Sequence, residues 1–266
     1  MTKIIHYTSG LPRSCSTLLQ NLIAQHPDCH ATATSGIAEI IAHSRHYFEN
    51  DEFKCQISPD DAETQYHQFC LGGIQNSYNS VTDKKIVIDK SRAWIGMLDL
   101  LFKIDPNAKI IVPVRDVRGI MASMEKKRRS HPAPLSSIEK QRPDQWTTIA
   151  QRVQGWLHTP PVGIAINRLA EAVRTYKDRL HFVHAEDLTN NPQKVMIGVW
   201  AYLGLDPIEH CIDSVEQTTK EIEMGWPYGD HTIRPKITPL VPDWDEVLGI
   251  NLSKQINQQY HWINQL

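Results

Sequence analysis

KIIHYTSGLPRSCSTLLQNLI, Lys3 to Ile23, joins a short apolar run to an amphipathic one across a tight turn. Lys3–Ser9 reads as a buried strand, and Leu18, Leu19, Leu22 and Ile23 recur at helical spacing, which predicts a helix from Ser16 to about Gln25. His26-Pro27 ends it. A strand, a turn and a helix N-terminus bring backbone N–H groups and the positive end of a helix dipole to one point, which favours an anion. The nucleotide P-loop built this way needs a lysine before its last hydroxyl, G-x-x-x-x-G-K-[ST]. Here the frame runs from Gly10 to Cys15, Ser16 and Thr17, so cysteine replaces the second glycine, serine replaces the lysine, and a cation, Arg13, enters the loop. The cradle survives without lysine-and-magnesium chemistry. For this stretch alone, a capped, solvent-facing turn is the plain alternative.

The strand-then-helix order repeats along the chain. Lys85–Ser91 reads as a second strand and Trp94–Ile104 as a helix stopped by Asp105-Pro106. Ala108–Asp116 is a third strand whose ladder Pro113 interrupts, followed by a helix from Val117 to about Lys127. Leu180–Glu186 is a fourth strand before a helix at Pro192–Leu205, with proline in its first turn. Ala150–Tyr176 reads as two helices broken at Thr159-Pro160-Pro161. Alternating strands and helices require crossover connections, so the expected fold class is α/β: a mainly parallel central sheet flanked by helices, P-loop nucleotide-binding-like. Residues 128–145, rich in proline, serine and charge, are expected to form a loop or lid, and residues 225–245 an irregular C-terminal segment.

Composition bounds the remaining possibilities. The 266 residues are 41% hydrophobic and 22% charged with a net charge of −2, which suits one domain, 1–266, with a sizeable core. Near-neutral charge gives no global attraction to nucleic acid, and the seven tryptophans occur without a basic stripe. No run approaches the roughly 20 apolar residues of a membrane span, and the first residues lack the apolar length of a secretory signal. No membrane partner is expected. Five cysteines with no CxxC pair argue against a disulfide scaffold and for a reducing, cytoplasmic location. Thirteen histidines include no HExxH, so no metal is assigned.

Three blocks together resemble the sulfotransferase superfamily, enzymes that move a sulfuryl group from 3′-phosphoadenosine 5′-phosphosulfate (PAPS) to an acceptor and release PAP. LPRSCSTLLQNLIAQHPD (Leu11–Asp28) is similar to the family's 5′-phosphosulfate loop, VPVRDVRGIMASM (Val112–Met124) to its 3′-phosphate element, and IDKSRAW (Ile88–Trp94) to the strand end that carries a lysine. A fourth, HAEDLTNNPQKVMIGVWAYLGL (His184–Leu205), resembles a helix entry of the family, so the likeness spans Ile4 to Leu205, about three quarters of the chain.

The resemblance implies that Arg13, Ser14, Cys15, Ser16 and Thr17 hold the 5′-phosphosulfate and that Arg115 and Ser123 hold the 3′-phosphate. An offset of eight residues places Ser123 two turns beyond Arg115, near the same helix face. Arginine binds phosphate bidentately and keeps its charge. Lys90 and Arg13 are implied to stabilise charge on the departing oxygen, with Asp89 and Arg92 positioning Lys90 or touching the acceptor. Arg118 and Lys127 are further cations near the 3′-phosphate, and GDHTIRPKI (Gly229–Ile237) is implied to bring Arg234, with Lys236, over it. Sulfate carries less charge than phosphate, so the chemistry needs no metal. The acceptor would be a small-molecule or peptide hydroxyl, or an amine.

The general base departs from the family pattern. Ala33, Thr34 and Ser35 stand where protein-tyrosine sulfotransferases carry a glutamate, and Arg92 stands where cytosolic aryl sulfotransferases carry a histidine. Glu39, the nearest carboxylate, leads a set completed by His30, His43 and His231. Cys15 puts a side chain where backbone must approach a ligand closely, so weaker binding or a slightly opened turn is expected. Ala185 occupies a place where relatives often carry tyrosine. Two other functions stay open: an ATP-dependent small-molecule kinase, disfavoured by Ser16, and a non-catalytic nucleotide-binding relative, favoured by Cys15 and the unplaced base.

Overall fold

Both neighbours of the first strand run parallel to it. In the computed structural model, which describes residues 2–55, 58–131, 136–219, 221, 228 and 231–266, five strands form one sheet. They are β1 (Ile4–Thr8), β2 (Cys29–Ala31), β3 (Ile86–Lys90), β4 (Ile110–Val114) and β5 (Leu180–His184), in the order β2-β3-β1-β4-β5. β1 lies along β3 from Ile4 opposite Ile86 to Thr8 opposite Lys90, and meets β4 at Tyr7–Ile110 and Thr8–Ile111. Four of the strands fall in the segments the sequence predicts. β2 was not among them, because three residues are too few for any periodicity to register.

Every residue of β3 and β4 is buried, as expected for parallel strands covered on both faces. Side chains alternate between those faces. Ile5 and Tyr7 of β1, Val87 of β3 and Ile110 and Val112 of β4 join one core with Trp94, Leu101, Ile120 and Leu169. Ile86 and Ile88 of β3 and Ile111 of β4 join the other, with Leu19, Leu22 and Ile23 of the helix Ser16–Ile23 and Met196, Val199 and Trp200 of the helix Pro192–Leu203. Alternation therefore sends Lys90 to the side of the Ser16–Ile23 helix and Asp89 to the opposite core. Asp89 is fully buried there, accepting from Trp94 Nε1 at 2.7 Å and from the Tyr78 hydroxyl. Burial pushes its carboxyl up while the hydrogen bonds from Tyr78, Trp94 and Ser35 pull it down. Asp89 thus ties helix Pro59–Asn79 and the Trp94 turn to β3.

The structure differs from expectation in three other places. β4 continues through Pro113, which pairs with Val183 of β5; only the ladder to β1 stops short, at Ile111. Trp94–Gly96 is a separate 3₁₀ turn, and the helix begins at Leu98. The expected lid at 128–145 is largely ordered secondary structure: the helix Val117–Arg129 runs into it, Ser137–Gln141 is helical behind a Ser136/Glu139 capping box, and Pro143–Trp146 is a 3₁₀ turn. Its polar residues read as loop because they are consumed in caps and ion pairs. Glu139, for example, is fully buried and accepts from the Tyr228 hydroxyl. Residues 132–135 lie outside the described residues, as do 222–227, 229 and 230 of the C-terminal segment. Residues 231–243 carry no helix or strand, and the helices Trp244–Leu248, which begins inside the segment expected to be irregular, and Ile250–Tyr260 follow. Among the described residues no helix is long and apolar enough to cross a membrane.

Two buried histidines make the fold acid-sensitive. Burial lowers His6 on β1 and His210 beside Trp200 from 6.5 to about 4 each. His210 Nε2 accepts from Trp200 Nε1 at 3.0 Å, which requires a neutral ring. Unfolded histidine takes up its proton near pH 6.5 and the folded ring resists until about 4, so stability falls with pH across that window, on the order of 3 kcal/mol per ring. Urea unfolding is expected to show this loss between about pH 6.5 and 5, above most carboxylate titration, and His210→Gln should make the slope shallower. An unchanged slope in that variant would contradict the assignment.

Candidate active site

β1, β3 and β4 end at the same edge of the sheet, and the chain leaves β1 toward β2 but leaves β4 toward β5. Opposed departures open a crevice between β1 and β4, where α/β sheets hold ligands. A cleft of about 690 Å³ lies there, bounded by the loop after β1, by Lys90 and Arg92, by Pro113 and Arg115, and by Glu221 with the segment from His231 to Val241. Its size suits a small ligand of nucleotide dimensions.

The loop is shaped by close approach and by two left-handed residues. A Cβ on Gly10 would meet the Pro113 carbonyl oxygen at 2.2 Å, and Leu11 N donates to that oxygen at 3.0 Å. Arg13 and Cys15 have φ of 60° and 59°. The Ser14 hydroxyl donates to the Leu11 carbonyl inside the turn, so Ser14 is fully buried and offers the cleft its main chain. The first helical bond runs from Leu19 N to Cys15 O at 3.0 Å, which leaves the N–H groups of Ser16, Thr17 and Leu18 outside the helical ladder. Cys15 packs against the Leu19–Trp200 core, and burial raises its thiol pKa. Its left-handed backbone is strained for any residue with a Cβ. Cys15→Gly and Cys15→Ala both lose the sulfur, but only glycine relieves the strain, so the glycine variant should be more stable by about 1 kcal/mol in chemical denaturation. Equal stability of the two would show the turn to be unstrained.

The cations expected at two poles form one cluster here. Arg13 Nε donates to Ser123 Oγ at 3.1 Å, and Arg115 Nη1 donates to the Arg13 carbonyl at 3.0 Å. Arg115 Nε is buried with no hydrogen-bond partner, 3.9 Å from the Glu186 carboxylate. Gly119 makes room for this guanidinium, since a Cβ there would meet Arg115 Nε at 2.9 Å. Lys127 and the exposed Arg234 also line the cleft. Arg118 does not; it is held by Asp116 at 2.6 Å and stacks on Trp244 at 4.4 Å. Lys236 lines the cleft but pairs with Asp213 at 3.1 Å.

At the other end, Lys90 Nζ lies 3.4 Å from Glu221 Oε2, and the same oxygen lies 3.3 Å from His231 Nε2. Burial pushes the Lys90 pKa down while the Glu221 charge pushes it up. The fully buried Thr8 lines the cleft in register with Lys90, and its hydroxyl has no partner. Glu39 is not at the cleft: it is exposed in the first turn of helix Ile37–Phe48 and accepts from Ser91 Oγ at 3.3 Å. His43 is bonded to the Glu39 carbonyl at 2.7 Å and His30 sits by Tyr78, both outside the lining. Of the four base candidates, His231 alone lines the cleft. Glu221 escaped the sequence reading because it reaches Lys90 across 131 residues, and no local motif marks such a contact.

The model of the Sulfotransferase family matches residues 8–209. Nodulation protein NoeE of Sinorhizobium fredii is 26% identical over 231 residues, covering 81% of this chain and 53% of its own length, so the chain spans about half of that relative. Among solved structures, the sulfotransferase domain of the curacin biosynthetic pathway superposes with a TM-score of 0.58 at 14% identity, covering 98% of each chain. The sulfotransferase domain of the Synechococcus PCC 7002 olefin synthase gives 0.53 at 18%, covering 97% of this chain and 94% of that one. A mouse sulfotransferase complexed with PAP gives 0.53 at 12%, covering 98% and 85%. At such identities these structures speak to fold alone, whereas the family match takes in well over half of the sequence, and by it the chain belongs to the sulfotransferase family.

Proposed function

We propose that this protein transfers a sulfuryl group from PAPS to a hydroxyl or amine acceptor. One observation carries the reading: the phosphate loop, the Arg13–Arg115–Ser123 cluster and the Lys90–Glu221–His231 group all face one cleft of about 690 Å³. The donor set fits a nucleotide with anions at both ends. Arg115 Nε is a buried donor in want of an acceptor, and Ser16, Thr17 and Leu18 offer main-chain N–H groups at a helix start. When bound, PAPS supplies a sulfuryl group already activated for transfer.

Arg13, Arg115 and Ser123 would hold the 3′-phosphate, with Arg234 across the cleft. Ser16 and Thr17 would hold the 5′-phosphosulfate with N–H and hydroxyl groups, and Ser14 and Cys15 with N–H groups only. Lys90 stabilises the electron pair left on the phosphate oxygen as its bond to sulfur breaks. The Glu221–His231 pair takes up, as a unit, the proton that the acceptor oxygen loses on forming its bond to sulfur. Glu221 therefore serves twice, keeping Lys90 charged despite burial and orienting the imidazole.

PAP should raise the melting temperature far more than ATP or adenosine 5′-phosphosulfate at equal concentration, since a ligand stabilises through its affinity for the native state. Arg115→Ala should weaken PAP by about 2 kcal/mol in calorimetry, the worth of a charge-assisted contact. Equal stabilisation by all three nucleotides would refute the 3′-phosphate site, and preference for ATP with a metal requirement would favour a kinase. Lys90→Ala should lower kcat by about a hundredfold or more with PAP affinity little changed, measured as PAP formation from PAPS with a phenol, a primary alcohol, a monosaccharide and an amine as acceptors. Unchanged kcat would remove Lys90 from the mechanism.

A further inference from the structure

Among the described residues from Asp206 to Asp243 there is no helix or strand, yet this strap carries both Glu221 and His231. Two main-chain bonds join its arms, Val215 N to the Pro235 carbonyl at 2.7 Å and Ile237 N to the Ile212 carbonyl at 3.1 Å, and between them the backbone depends on side chains. Asn21, on the helix that starts in the phosphate loop, is fully buried. Its Oδ1 accepts from Thr218 N at 2.7 Å, Thr219 N at 3.0 Å and the Thr218 hydroxyl at 3.3 Å. Its Nδ2 donates to Thr219 Oγ1 and to the Thr17 carbonyl, both at 2.8 Å. The carboxamide is saturated. Gln217 extends the chain of contacts: Nε2 donates to the His231 carbonyl at 2.6 Å and the Thr219 carbonyl at 3.1 Å, and Oε1 accepts from Ile233 N at 3.1 Å.

A buried amide is costlier than leucine unless its partners matter, and four of the five contacts of Asn21 are to the strap. We propose that Asn21 is a positioning residue for the transfer step: with Gln217 it clamps the strap so that Glu221 reaches Lys90 and His231. The inference rests on the base reading given above. Because Thr17 accepts from the same carboxamide, the loop that takes the donor and the strap that takes the proton are held by one side chain. Thr218 and Thr219 stand three and two residues before Glu221, so slack there moves the carboxylate directly.

Asn21→Leu keeps the volume and removes the bonds, and Asn21→Asp keeps the acceptor for both strap N–H groups. On the intact chain, Asn21→Leu should speed hydrogen exchange at Thr218 and Thr219 and lower kcat from tenfold to about a hundredfold, as a displacement of about 1 Å can. Affinity for PAP should change little, and Asn21→Asp should restore most of the turnover. Should Asn21→Leu fail to fold, Gln217→Leu, outside every helix, is expected to lower kcat in the same way. Exchange that does not change, or a released strap with wild-type kcat, would overturn the proposal. Glu221→Gln tells the two readings apart. Full turnover there with loss in Asn21→Leu keeps the clamp and removes the base; loss there with full turnover in Asn21→Leu does the reverse.

Discussion

The cleft depends on how closely the chain at Gly10 passes the end of β4. A single added carbon at Gly10 would sit 2.2 Å from the Pro113 carbonyl oxygen, to which Leu11 donates its N–H. That contact joins the turn after β1 to the last residues of β4, about a hundred residues away in sequence. Arg115 can then bond the Arg13 carbonyl, and Arg13 can reach Ser123. Moving the loop away from Pro113 would part the guanidinium cluster and leave the free N–H groups of Ser16 and Thr17 facing nothing in particular. Pro113 is well suited to this place: its ring ends the ladder to β1, while its carbonyl still accepts a bond from the loop.

Charge in this protein is arranged locally. The net charge is −2, yet Arg13, Lys90, Arg92, Arg115, Lys127 and Arg234 line one cleft. Focusing cations in a concave site attracts an anionic ligand without making the whole surface basic. Two carboxylates keep this arrangement tolerable. Glu186 stands 3.9 Å from Arg115 and Glu221 stands 3.4 Å from Lys90, both longer than tight ion pairs, so an incoming anion competes with modest partners. Arg118, whose salt bridge to Asp116 is 2.6 Å, shows the contrast: it is fully committed and stands away from the cleft.

Much of this was legible in the sequence, for physical reasons that differ from residue to residue. The alternation of Ile5, Tyr7, Val87 and Ile88 between two cores follows from strand geometry, and the Leu19, Leu22 and Ile23 stripe from helix geometry, so the parallel α/β sheet was readable. Arg13, Arg115 and Lys90 were readable at the cleft because each lies within a few residues of a strand end, and Ser123 because helix spacing returns it to the side of Arg115. Glu221 and Asn21 depend on tertiary contact, and His231, one of four base candidates in the sequence, is set apart from the others by lining the cleft. The strap has no periodicity, and Asn21 sits among leucines where an amide looks like a flaw in the pattern. Glu39 stays outside the cleft lining because closeness in sequence to Ser35 does not fix which way the first turn of the following helix faces. The segment 128–145 misled because caps and ion pairs use the same polar residues as loops do.

Everything proposed for this cleft turns on a donor that carries sulfur. Incubating the purified protein with PAPS labelled in its sulfuryl sulfur, in the presence of EDTA and the four acceptor classes, tests it directly. The expected result is label in an organic sulfate, or in a sulfamate for the amine, with at least one acceptor, formed in step with PAP. Label that stays in PAPS or appears only as inorganic sulfate with every acceptor, while ATP labelled in its terminal phosphate does transfer its label, would contradict it.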